Sequence, residues 1–176
     1  MPSIRTILLL TALFLLPLTH VFPATDIHFS GALVAEPCSI EAEDEIKELD
    51  FGSVTDKDIY HNNRLRSHPF SITLTGCSLD IARTVTITFS GKESSELVGY
   101  LSLNAESSAK GIAIGMETLT GLPVHFNKMT PIFPLETGKT LITLRAFIQG
   151  EPGAIRERTI SNGYFNAIAT FSLNYQ

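Results

Sequence analysis

Tryptophan is absent from this chain, and cysteine occurs only twice. Basic residues are outnumbered by acidic ones, 13 to 18, which leaves a formal net charge of −5. Each shortage excludes something. Without tryptophan there is no Cys-Trp-Cys core of the antibody type. Without a basic excess or a basic patch, a nucleic-acid partner is not expected. After the first two dozen residues no apolar run is long enough to cross a bilayer as a helix, so no membrane span is expected. Internal repeats, low-complexity linkers and a sustained helical period are also missing.

Signatures of chemistry are missing too. There is no Gly-x-Ser-x-Gly elbow, no phosphate loop and no dinucleotide fingerprint. His28, His61, His68 and His125 are scattered, with no spacing of a zinc site, and read as surface or strand histidines. The acidic cluster of Glu36, Glu41, Glu43, Asp44, Glu45 and Glu48 lacks the ligand spacing and central glycine of a calcium loop, and reads as a solvated loop. No catalytic residue, metal site or cofactor is therefore expected. Function has to be sought in binding or assembly.

What is present begins with a leader. Arg5 supplies a positive start, residues 7–18 are almost wholly apolar, and Pro17 and Pro23 break the run before Ala24. Residues 1–24 read as a secretory signal peptide. Its removal takes Arg5 and makes the remainder one unit more negative. Residues 25–176 suit one domain with a sizeable core. In an exported chain, two cysteines point to one disulfide, Cys38–Cys77; the alternative is two buried free thiols.

Period-two alternation dominates the rest. The last fourteen residues place Gly163, Phe165, Ala167, Ala169, Phe171, Leu173 and Tyr175 on one face and mostly polar residues on the other, ending at Gln176. This predicts a strand over 163–176 with one buried face. With no sequence after Gln176 to pair with its second edge, the strand needs a cover, either an earlier strand or another polypeptide. A second alternating stretch, Ile27, Phe29, Gly31 and Leu33, follows the leader. Between them, strands are predicted over 32–40, 70–77, 84–89, 100–103, 112–114, 122–126, 132–135 and 140–148, with a short strand or turn over 49–54. Residues 41–48 are predicted as a loop or edge, and 56–68 as an exposed polar stretch. Gly and Pro punctuate these runs. Many short strands at regular spacing predict an all-β antiparallel sandwich.

Four features together make the chain similar to a known family. Gly163 stands fourteenth from Gln176 and Tyr175 is penultimate, with alternating apolar residues between. Asp26-Ile-His-Phe-Ser-Gly31 alternates around a glycine. Cys38 and Cys77 have the matching placement, with Leu-Thr-Gly before Cys77. Leu49-Asp-Phe-Gly-Ser-Val54 lies between the cysteines. In these the chain resembles the pilin subunits of chaperone–usher fimbriae, most of all the small minor or adaptor subunits of P-type pili.

The resemblance implies an incomplete immunoglobulin-like sandwich lacking its final strand, completed by a donated one. It implies a donor-strand extension over 25–34, carrying Ile27, Phe29, Gly31 and Leu33, and a pilin domain over 35–176. The strand from Gly163 to Gln176 would border the groove. The implied partners are a periplasmic pilus chaperone, an outer-membrane usher and neighbouring pilin subunits. The implied location is the surface fimbria of a Gram-negative bacterium. One small domain with its own extension argues against a tip adhesin. An independent exported lectin-like adhesion domain is the competing reading, supported only by export and the sandwich pattern; a periplasmic enzyme has no supporting site.

Overall fold

The computed structural model describes residues 26–33 and 35–176; the leader expected over 1–24 lies outside them. The chain separates into two units, Met1–Val34 and Ala35–Gln176. In the first, residues 26–33 carry neither helix nor strand.

The second unit contains, in chain order, β1 (Ser39–Ile40), α1 (Ala42–Glu45), α2 (Asp56–Asn62), β2 (His68–Cys77), β3 (Thr84–Ser90), β4 (Leu101–Ser102), β5 (Ile112–Thr118), β6 (Pro123–Val124), β7 (Phe133–Pro134), β8 (Gly138–Gly150), α3 (Pro152–Glu157) and β9 (Thr170–Tyr175). Two antiparallel sheets result. The larger has the order β1-β2-β8-β5-β4, with β6 on β5; the smaller is β7-β3-β9. Alternation explains the layers, because successive side chains in a strand point to opposite faces. Ile72 and Leu74 of β2, Met116 of β5 and Ile142, Leu144 and Ala146 of β8 form one side of the core. Val85, Ile87 and Phe89 of β3 form the other. The intervening Ser71 and Thr143 face outward and share a 2.8 Å hydrogen bond between their hydroxyls. Cys38 and Cys77 are joined in a disulfide, both buried in this core.

Several expected elements are shorter than the sequence suggests. The strand predicted over 32–40 is reduced to β1, and those over 122–126 and 132–135 to β6 and β7. Residues 49–54 form no strand, although Leu49 and Phe51 pack against the core.

Two polar stretches hold structure that alternation could not reveal. Residues 56–68, expected to be exposed, contain α2, whose Ile59 is buried beside Ile112 and Ile148. Thr55 caps this helix through the Asp58 N–H, and Asn63 closes it in the left-handed conformation. Just beyond, Arg64 makes a two-pronged bond to Glu117 of β5 at 3.1 Å and lies 3.6 Å above the Phe147 ring. The Arg64 hydrogen bonds hold the Glu117 carboxyl below the usual carboxylate range against the opposing effect of burial.

The second stretch is 41–48, expected to be a solvated loop. It contains α1, and Asp44 is buried. Where β1 stops, the Asp44 carboxylate accepts the Thr73 N–H of β2 at 2.7 Å and pairs with Lys47. A carboxylate thus takes the place of the next strand residue along that edge. The Lys47 bond, with help from Thr73, lowers its pKa despite burial. Asp44→Ala leaves the Thr73 N–H without its partner and should cost about 1–3 kcal/mol of unfolding free energy. Because the folded pKa is depressed, this contribution is present above the unfolded carboxyl pKa of about 3.9 and is lost as pH falls through the folded value. Urea unfolding of wild type and Asp44→Asn from neutral to acid pH checks this: the stability difference should shrink in acid.

Candidate functional site

Among the described residues β9 has one strand neighbour, β3, and one free edge. Its register with β3 runs from Thr170 opposite Ser90 to Tyr175 opposite Val85. Beyond it, Gln176 and Thr84 exchange both backbone bonds, at 2.9 and 3.0 Å. In an antiparallel ladder bonded pairs alternate with non-bonded ones. The backbone groups of Thr170, Ser172 and Asn174 therefore also point at β3, and those of Phe171, Leu173 and Tyr175 point away from it. The far side of β3 agrees, since Ile87 bonds Thr130 and the Phe89 carbonyl accepts the Asn127 N–H.

The strand expected over 163–176 is realised only from Thr170. β3 ends opposite that residue, and upstream a loop replaces it as partner. Asn104 donates to the Asn166 carbonyl at 2.9 Å, and Ser108 and Ala109 donate to that of Tyr164 at 2.9 and 3.1 Å. Ser107 both donates to and accepts from the Asn166 backbone. The parity is unchanged: Tyr164 and Asn166 turn their backbones inward, and those of Phe165, Ala167 and Ala169 find no partner among the described residues. Gly163 lies against Ser108, where a Cβ would collide with the hydroxyl and come within 3.1 Å of the Ala109 nitrogen.

Side chains follow the same parity. Phe165, Ala167, Phe171, Leu173 and Tyr175 pack against the core, whereas Gly163 and Ala169, expected on the same buried face, are exposed. Phe171 packs on Phe89 at 6.1 Å between ring centroids, and Phe165 on Phe51 at 6.4 Å. The Tyr175 hydroxyl donates to the Cys38 carbonyl at 3.4 Å. Burial and the nearby Glu36 charge raise its pKa. The inward residues of β9 are nevertheless only half-buried, whereas their β3 neighbours Val85 and Ile87 are fully buried at 0% exposure. Both strands present apolar residues to the same core. β3 has neighbours on both sides and β9 on one, and that difference leaves an apolar strip beside an unpaired backbone.

Of the residues expected to donate a strand, Ile27, Phe29 and Leu33 are exposed at 74, 92 and 105%, and a Cβ at Gly31 would meet nothing within 4 Å. They form no strand in this single chain. Among the described residues, no helix is long and apolar enough to cross a membrane.

The described residues form a β-sandwich whose last strand leaves one edge open, and comparison with known proteins shows its family. A family model for fimbrial protein matches residues 27–176. PmfF of Proteus mirabilis, described as a minor fimbrial subunit, is 34% identical, with 95% of each chain covered. The fimbrial adapter PapK of Escherichia coli is 29% identical over 87% of this chain and 89% of its own. Among solved structures, the P pilus rod subunit PapA matches with a TM-score of 0.69 at 22% identity, covering 80% of this chain and all of that one. A subunit of a chaperone–usher pilus matches with a TM-score of 0.67 at 23% identity, covering 90 and 99%. The chain belongs to the fimbrial protein family, and its fold is the immunoglobulin-like sandwich of chaperone–usher pilins.

Proposed function

We propose that the chain is a structural subunit of an adhesive fimbria, assembled through donor-strand exchange in a minor or adaptor position. The open edge of β9, with half-buried apolar residues beside unpaired backbone groups, carries this reading. A strand laid along that edge gains main-chain hydrogen bonds from Phe165, Ala167, Ala169, Phe171, Leu173 and Tyr175, and its alternate side chains cover the apolar strip. In the periplasm a chaperone supplies the strand; at the outer-membrane usher the extension of a neighbouring subunit replaces it. Residues 1–24 direct export, 25–34 form the extension, and 35–176 form the domain that accepts a strand. The route ends at the cell surface of a Gram-negative bacterium. The relatives described as a minor subunit and an adapter support the position in the fibre.

The extension's own residues set the test. Ile27, Phe29 and Leu33 each contribute about 1.5–3 kcal/mol when fully buried in a neighbour's groove. Gly31 sits among them where two backbones approach closely. Gly31→Arg should leave the domain's melting temperature unchanged and abolish incorporation into surface fimbriae, measured by immunoblotting of sheared fibres. Normal incorporation of that variant would overturn the proposed role of the extension.

A further inference from the structure

The head of the terminal segment carries a feature that strand acceptance does not use. Of the seven asparagines, only Asn162 is followed by glycine. Asn162 and Gly163 are both exposed, and neither the Asn162 amide nor the Gly163 N–H has a hydrogen-bond partner among the described residues. The link is short and pinned on both sides. Ser161 and Lys110 exchange backbone bonds at 3.1 Å, and the Tyr164 carbonyl is held by Ser108 and Ala109. Glycine at 163 is required by the close approach of Ser108, so residue 163 has no side chain of its own beside the backbone nitrogen that follows Asn162. The other asparagines differ: the Asn127 amide is bonded to Gly91 and Glu93, and Asn104 and Asn166 precede alanines.

We propose that Asn162 is a site of spontaneous covalent modification. The Gly163 backbone nitrogen attacks the Asn162 side-chain amide carbon. A ring C–N bond forms, the C–NH2 bond breaks, and ammonia leaves carrying the proton of the attacking nitrogen. Water then opens the cyclic imide at either carbonyl, giving aspartate or isoaspartate. Either product adds a negative charge. The iso form also lengthens the main chain between Ser161 and Tyr164, two residues held by the body of the domain, at the start of the segment that borders the open edge.

The test is peptide mapping by mass spectrometry of the folded, disulfide-bonded chain after incubation in mildly alkaline buffer, beside the same chain unfolded in denaturant. Asn162 in the folded chain should convert about tenfold faster than Asn104 or Asn166, a barrier difference of about 1.4 kcal/mol. Asn162→Ser should remove the modified species while leaving the melting temperature unchanged. Conversion in the unfolded chain alone, or a folded-state rate no faster than at the other asparagines, overturns the proposal.

Discussion

A chain lacking residues 25–34 will melt roughly 5–10 °C higher when a peptide of residues 25–35 is present at about a hundred times its dissociation constant. The shift follows from mass action: a ligand that binds only the folded state adds about 2.7 kcal/mol at that excess. In the proposed reading the ligand is a structural element that the domain does not supply itself: it would pair with the outward backbone groups of Phe171, Leu173 and Tyr175 and cover side chains that are half-buried in this structure. A peptide carrying Gly31→Arg should give no shift. Differential scanning fluorimetry with both peptides decides the matter. A truncated chain that is already stable and ignores both would mean that the edge of β9 accepts no strand of this type.

Replacing Cys38 and Cys77 by serine should lower stability by about 4 kcal/mol, since the closed loop spans 39 residues. That loss corresponds to a melting temperature about 8–16 °C lower for a domain of this size. The disulfide does more than shorten the unfolded chain. It fixes Cys38 against the end of β2, and the Cys38 carbonyl receives the Tyr175 hydroxyl. The double variant should therefore also respond less to the wild-type peptide, because the Tyr175 end of the strip loses its opposing wall. Thermal melts of the oxidised, reduced and serine forms separate the two effects: reduction and substitution should agree in both.

Alternation made the sandwich legible. The strands expected over 84–89 and 140–148 are present as β3 and β8, where every second residue meets the core, Val85, Ile87 and Phe89 in one and Ile142 and Leu144 in the other. The apolar face of the terminal strand was legible for the same reason, with Gly163 and Ala169 the exceptions, since a residue with little or no side chain marks a buried position weakly. What sequence could not show depends on contacts distant along the chain. α2 has one buried apolar residue, Ile59, in seven, too few to display a helical period. Asp44 looks like its acidic neighbours, and only the end of β1 beside Thr73 singles it out. The shortening of the last strand likewise depends on where β3 ends and the 104–109 loop takes over.

On the open edge, the residues whose side chains face the core are also those whose backbones face outward. A docked strand displaced by one residue would turn its polar face inward, so that error is heavily penalised. A displacement by two residues restores the facing pattern and every hydrogen bond but the outermost, and changes only which side chains meet. In the proposed assembly the joint between successive subunits is therefore graduated: it can slip only in steps of about 7 Å, the rise of two strand residues. Under that proposal the unequal sizes of Ile27, Phe29, Gly31 and Leu33 act as the vernier that selects one graduation and sets the length of each link in the fibre.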